Sequence, residues 1–178
     1  MFHHFIKLFL AFSFFLFFCS GCVVKVPKNQ QREVKALAAS LYQLNREIPY
    51  SEALKLSQDV FSTTQTLTQT FKLTSPPQAH NFLVNVGLKE KGLCYHWSDA
   101  LFVHLKAEKY PAFDFHLLGA NIGDYWSEHN VMVVVSKGKS WESGVLLDPW
   151  RNSGRLYFSS VKEDTKYTWK HRPQRGCF

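Results

Sequence analysis

Residues 92–101 of this 178-residue chain read GLCYHWSDAL and place one thiol between a glycine turn and an amphipathic helix. Apolar side chains at Trp97 and Leu101 lie at helical spacing, so a helix is predicted to begin at or near Cys94 and to end near Lys109. At a helix N-terminus, unpaired backbone N–H groups and the positive end of the dipole favour a thiolate over a thiol. Cys94 is therefore the candidate nucleophile.

Three further helices are predicted before this one. Apolar residues at helical spacing place them over residues 32–46, 52–72 and 76–87. Ser51 is the expected N-cap of the second helix, and Ser75 that of the third. The threonine-rich half of the second helix predicts a break near Ser62, because β-branched side chains lose rotamer freedom in a helix.

After Pro111 the apolar pattern changes from helical to extended. Runs of β-branched and aromatic residues predict strands over residues 113–118, 130–135, 144–147 and 156–161. Helices followed by strands indicate an α+β domain, in which the N-terminal helices pack on one face of an antiparallel sheet.

Two polar residues lie at the ends of neighbouring predicted strands. His129 precedes the apolar run over 130–135, and Asp148 follows the run over 145–147. If these strands pair as antiparallel neighbours, the two residues become cross-strand neighbours about 5 Å apart at Cβ. A carboxylate at that distance can hold one imidazole nitrogen while the other nitrogen faces a thiol.

Three short motifs that contain these residues resemble the transglutaminase-like cysteine peptidase superfamily, a relative of papain. They read Gly-Leu-Cys at Cys94, His-Asn-Val at His129 and Leu-Asp-Pro at Asp148. The resemblance implies a papain-like fold, with Cys94 as nucleophile, His129 as general base and then acid, and Asp148 as orienting carboxylate. It also implies attack on an amide carbonyl, an acyl-thioester, and hydrolysis by water or capture by an amine.

The oxyanion of such a reaction needs hydrogen-bond donors. The backbone N–H of Cys94 is the first candidate, and the side chains of Asn85 and Trp97 are further candidates for the second donor.

Several alternatives compete with this reading of the site. A lone cysteine such as Cys94 is often a buried structural residue. Asp124 and Glu128 are rival carboxylates for the histidine, and Asp148 could simply begin a turn before Pro149. A zinc site built on Cys94 lacks CxxC and HExxH spacing, so no metal or cofactor is predicted.

His96 is a rival base for the thiol of Cys94. Two positions along a helix turn its side chain about 200° away from Cys94, which favours a surface or capping role.

The N-terminus has the features of an export signal. A short basic region and about a dozen apolar residues precede Cys22, too few to span the roughly 30 Å of a bilayer core as a helix. Ser20 and Gly21 directly before Cys22 resemble the lipobox of bacterial lipoproteins, whose cysteine is diacylated. The expected organisation is a signal peptide over 1–21, a tether over 22–30 and a single transglutaminase-like domain over 31–178. An ordinary secretory signal or an uncleaved anchor is the alternative.

Charge and location together define the functional hypothesis. The formal charge of +7 favours anionic surroundings, but no block of Lys and Arg indicates nucleic acid. The sequence predicts a thiol hydrolase of peptide or amide bonds, lipid-anchored in the bacterial cell envelope and facing the periplasm or exterior. Peptides, proteins or cell-wall peptides are the expected substrates. The alternatives are a non-catalytic envelope lipoprotein that uses the scaffold for binding, and a Cys94–Cys177 disulfide that would silence the thiol.

Overall fold

The computed structural model describes residues 30–176. The expected signal peptide, the lipidation site Cys22, almost all of the tether and Cys177 therefore lie outside the described residues. Within residues 30–176, no helix is both long enough and apolar enough to cross a bilayer.

Four helices precede a five-stranded sheet. The helices are α1 (Gln31–Tyr42), α2 (Tyr50–Thr70), α3 (Pro77–Asn85) and α4 (Cys94–Ala107). The strands are β1 (Phe113–Ala120), β2 (His129–Ser136), β3 (Val145–Asn152), β4 (Arg155–Ser160) and β5 (Lys170–His171), with a 3-10 turn at Trp141–Ser143. The strand order is β4-β3-β2-β1-β5, and every neighbouring pair is antiparallel. The predicted α+β class, with helices packed on an antiparallel sheet, is confirmed.

The helices cover one face of the sheet. Helix α4 buries its residues at positions 94, 97, 98, 101 and 105, which form a single stripe because they recur every three or four residues. Helices α1 and α2 add their own apolar stripes to the same core, where they meet Met132 and Val134 of β2 and Leu147 of β3. Central strand β2 is buried along its whole length, so it is covered on both faces.

The C-terminal segment covers the second face. Along the strands, every second side chain points away from the first core into a second one. There, Val131, Val133 and Leu146 pack against Val161 and Trp169. The sequence analysis predicted a single covered face and no strand after residue 161. Strand β5 has only two residues, which is too short for an apolar pattern to reveal it.

The predicted starts of helices α2 and α3 are wrong by two residues and one residue. Helix α2 begins at Tyr50, with Pro49 rather than Ser51 as its N-cap, because the Pro49 carbonyl accepts hydrogen bonds from the N–H groups of residues 52 and 53. Helix α3 begins at Pro77, one residue later than expected, with Pro76 as its N-cap.

Helix α2 continues through Ser62 without the expected break. The hydroxyls of Thr66, Thr68 and Thr70 donate to backbone carbonyls four residues earlier, at 2.9 to 3.0 Å. These bonds satisfy the hydroxyls inside the helix, and burial of Thr68 against the rest of the protein outweighs its low helix propensity.

Candidate active site

The turn before Cys94 is fixed by two side chains of the helix that follows it. The Nδ1 atom of His96 accepts hydrogen bonds from the backbone N–H groups of Gly92 and Leu93, both at 3.1 Å. The indole N–H of Trp97 donates to the Gly92 carbonyl at 3.0 Å. Cys94 is the first residue of α4, as the sequence predicted, and His96 caps the helix rather than acting on the thiol.

Gly92 lies directly against a buried imidazole. Its φ is +127°, and a Cβ atom built there would lie 2.1 Å from His80 Nε2. That nitrogen bonds to the Lys91 carbonyl at 2.9 Å, while His80 Nδ1 accepts from the Thr74 N–H at 3.1 Å. The Thr74 bond makes Nδ1 the acceptor, so Nε2 carries the proton and donates to Lys91. Burial also lowers the pKa of His80, which keeps the ring neutral. Only glycine fits this turn, which sets the direction in which Cys94 enters the helix.

His129 and Asp148 meet at the edge of the second core. His129 Nε2 lies 2.7 Å from Asp148 Oδ2, and both side chains are almost completely buried. The two residues are diagonal neighbours rather than directly opposite ones. Met132 pairs with Leu147, so extending that register places Asp148 opposite Val131, two residues along β2 from His129. Alternation along the strand keeps His129 and Val131 on one face, which lets the imidazole reach the carboxylate.

The His129–Asp148 pair is ionised at neutral pH. Burial alone would lower the pKa of His129, but the charge and hydrogen bond of Asp148, together with the nearby Cys94 side chain, raise it to about 9. Burial alone would raise the pKa of Asp148, but His129 and then Arg151 hold it below its usual value. A protonated ring therefore faces a carboxylate in a dry setting.

The thiol of Cys94 lies close to the imidazole of His129. The second ring nitrogen, Nδ1, is buried and forms no hydrogen bond with residues 30–176. The Cys94 side chain helps to raise the pKa of the ring. The Cys94 sulfur lies between the residues on either side of His129, 3.7 Å from the Glu128 carbonyl and 3.8 Å from Asn130 Nδ2. Hydrogen bonds of catalytic groups are often long before substrate binds.

Arg151 is a member of the site that the sequence analysis missed. Its Nε donates to Asp148 Oδ2 at 2.8 Å, the same oxygen that His129 contacts, and its backbone N–H donates to Asp148 Oδ1 at 3.0 Å. The guanidinium also makes two parallel bonds to Asp164, at 3.0 and 2.7 Å, and lies 4.1 Å from the centre of the Tyr157 ring. Arg151 thus fixes the position of Asp148 and balances its charge.

Three aromatic rings surround His129. The ring centres of Trp150, Tyr167 and Trp169 lie 4.8, 4.7 and 5.7 Å from that of the imidazole. Tyr167 and Trp169 come from the C-terminal segment, so the cover on the second face of the sheet also shields the His129–Asp148 bond from water.

A cleft of about 360 Å³ opens beside His129. Helix α3 contributes Gln78, Asn81, Phe82 and Asn85 to the lining, residues 121 and 125–128 contribute a second group, and Trp150 and Tyr167 complete it. Of the predicted triad, His129 lines the cleft, whereas Cys94 and Asp148 are buried behind it and do not.

The predicted oxyanion donors differ in where they lie. Asn85 lies on the wall of the cleft. The Trp97 side chain is fully buried and its indole N–H donates to the Gly92 carbonyl, which removes this side chain from the candidates. The amide of Asn130 is a donor close to the sulfur that the sequence analysis did not select.

Among residues 30–176, no group of three His, Cys, Asp or Glu side chains has a geometry that could hold a metal ion. No protein-family model, curated protein or solved structure matches this chain significantly.

Proposed function

We propose that this chain is a thiol hydrolase of peptide or amide bonds, built on a transglutaminase-like, papain-related fold. The observation that carries the proposal is the buried 2.7 Å bond between His129 and Asp148, with the other ring nitrogen unpaired among residues 30–176 and a cysteine at a helix N-terminus close to the ring. A nucleophile, a base and a group that orients the base are the three parts that covalent acyl transfer needs.

The chemistry follows from the protonation of His129. In the reactive form the proton of the thiol resides on His129 Nδ1, and the Cys94 thiolate attacks the substrate carbonyl carbon. The new C–S bond moves the carbonyl electron pair onto oxygen. When this oxyanion collapses, the C–N bond breaks and the leaving amine takes the Nδ1 proton. Water then gives a proton to Nδ1 and attacks the thioester, the C–S bond breaks, and the acid product leaves the thiolate–imidazolium pair restored.

Two donors fit the oxyanion. The backbone N–H of Cys94 belongs to the first turn of α4, whose N–H groups and dipole favour negative charge. The Asn130 amide, 3.8 Å from the sulfur, is the second donor that we propose, with Asn85 on the cleft wall as the other candidate.

Membrane attachment is a separate part of the proposal. A diacylated Cys22 would hold the enzyme on a membrane of the bacterial envelope, where peptides, proteins or cell-wall peptides are available as substrates. Labelled palmitate should be incorporated into the wild type in bacteria and not into Cys22→Ala. Incorporation into the variant would exclude lipidation at this position.

The test of the enzyme is hydrolysis of a denatured protein substrate by the purified protein. Cys94→Ala should lower turnover by several orders of magnitude, whereas Cys177→Ala should leave it unchanged. Turnover that survives Cys94→Ala would refute the proposal. Release of free acid distinguishes hydrolysis from amine transfer, which would instead incorporate a labelled amine. Binding without turnover would identify a non-catalytic lipoprotein.

A further inference from the structure

The loop between β1 and β2 (residues 121–128, the aromatic loop) presents two rings to solvent. Trp126 is 88% exposed and Tyr125 is 73% exposed, and their ring centres lie 5.0 Å apart in an edge-to-face arrangement. Phe82, 62% exposed, lies on α3 and lines the same cleft as these two rings. Exposed apolar groups that gather around a polar groove mark binding surfaces more often than isolated ones do.

The aromatic loop holds this conformation through its own hydrogen bonds. The Asp124 carboxylate accepts from the N–H groups of Trp126 and Ser127 at 3.0 and 3.3 Å, and its carbonyl accepts from the Glu128 N–H at 2.8 Å. The Glu128 carboxylate accepts from the Gly123 N–H at 2.9 Å. The two rings are therefore displayed before any ligand binds, which reduces the ordering cost of binding.

The loop leads directly into the reacting groups. Its last residue, Glu128, has its carbonyl 3.7 Å from the Cys94 sulfur, and the next residue is His129. In a bound peptide, the residue that contacts Trp126 would therefore be only a few residues away from the bond held at Cys94.

The lining of the cleft is almost uncharged. It contains four side-chain amides, from Gln78, Asn81, Asn85 and Asn121, which can bond to the N–H and C=O groups of an extended peptide. No Lys or Arg of residues 30–176 lines this cleft, and its one carboxylate is that of Glu128. His129 also lines the cleft, and its protonated ring balances the charge of Glu128. The volume of about 360 Å³ is at the lower end of the range for small-ligand sites.

We infer that the cleft selects unfolded peptide segments with an aromatic or large aliphatic side chain within a few residues of the cleaved bond. The amides bind the peptide backbone, and the side chain packs against Trp126 and Phe82. The cleavage part of this inference rests on the proposed function, whereas the binding part does not.

The experiment is a cleavage profile on a mixed peptide library, read by mass spectrometry. Wild type should cut with enrichment of Phe, Tyr, Trp and Leu within three residues of the cut. Trp126→Ala should lower kcat/KM for aromatic peptides roughly tenfold or more and leave alanine-containing peptides almost unaffected. The matched control is Tyr42→Ala, which removes a ring of another exposed edge-to-face pair, Tyr42 with Tyr50, and should change neither value.

A binding assay separates the two proposals. Cys94→Ala should bind fluorescein-labelled aromatic peptides more tightly than alanine-containing ones, and should lose that preference roughly tenfold on addition of Trp126→Ala. Cleavage with a flat residue profile refutes the inference and leaves the hydrolase. Selective binding without cleavage supports the inference and refutes the hydrolase. Absence of selective binding, or binding of vesicles or glycans instead of peptides, refutes the inference.

Discussion

Raising the pH from 6 to 10 should destabilise the folded protein through one buried ring, that of His129. Its pKa is raised from 6.5 to about 9, chiefly because the charge and hydrogen bond of Asp148 outweigh the effect of burial. A group whose pKa is raised by folding stabilises the folded state fully below its unfolded pKa. That contribution is lost as the pH rises through the folded pKa. The window therefore runs from about 6.5 to about 9.

The size of the effect follows from the shift. A difference of one pKa unit corresponds to about 1.4 kcal/mol, so the shift of His129 corresponds to roughly 3 kcal/mol of unfolding free energy. The side chain is only 3% exposed, so solvent screening removes little of it. Typical domains are stable by about 5–15 kcal/mol, which makes this loss easy to measure.

The assay is urea unfolding followed by far-UV circular dichroism across this pH range, with His129→Gln as reference. Glutamine does not titrate, so other titrating groups cancel in the difference between the two proteins. Wild type should lose roughly 3 kcal/mol more than the variant between pH 6 and pH 10, at unchanged denaturant slope. In a Cys94→Ala background the loss should shrink but persist, because Asp148 contributes more to the shift than Cys94 does.

Two results would refute the reasoning. If the unfolding free energy of wild type minus that of His129→Gln does not change with pH, the ring carries no proton linked to folding. If that quantity increases with pH, folding lowers the pKa of the ring, and the ring is buried in its neutral form. The hydrolase predicts a matching kinetic change, since kcat/KM should fall above about pH 9 as His129 loses the proton that it gives to the leaving amine.

Three further changes test the surroundings of the site. Gly92→Ala should lower the unfolding free energy in urea by about 3 kcal/mol or more, because the new Cβ meets His80. The control Gly87→Ala, whose Cβ meets no atom within 4 Å, should lower it by only about 1 kcal/mol. Equal losses would contradict the contact with His80. Arg151→Met should lower the unfolding free energy by about 3–5 kcal/mol, because it leaves two buried carboxylates without their cation. Arg151→Lys should recover part of this loss. A Met variant as stable as wild type would argue against the network. Asp148→Asn should lower kcat on the order of 10³–10⁴-fold because the imidazole loses its orienting charge, and unchanged kcat would remove Asp148 from the mechanism.

The parts of the fold that could be predicted were those fixed by local pattern. The helical stripe that starts at Cys94 and the apolar run after His129 each determine an element without knowledge of the rest of the chain. Short-range antiparallel pairing of β2 with β3 then brings His129 to Asp148, although as diagonal rather than direct neighbours.

The parts that could not be predicted depend on contacts between distant segments. Arg151 lies near Asp148 in the sequence, but its second partner, Asp164, comes from the segment after β4, and nothing in the pattern indicates that pairing. Tyr167 and Trp169 carry no periodic signal, so their position over His129 depends on the complete sheet. Ser51 was a reasonable cap by residue type, but the carbonyl of Pro49 already begins the helix.

The C-terminal cover has a consequence for the order in which the protein becomes functional during its synthesis. Asp164, Trp169 and Arg172 leave the ribosome after the elements that carry Cys94, His129 and Asp148, and Arg172 donates hydrogen bonds to Ser98 and Asp99 of the helix that begins at Cys94. A nascent chain can form α4 and the β2–β3 pair, yet its histidine stays open to water until those residues arrive. Proteins shortened before these residues would carry the thiol without a shielded base, so they would lack the arrangement on which the proposed activity depends.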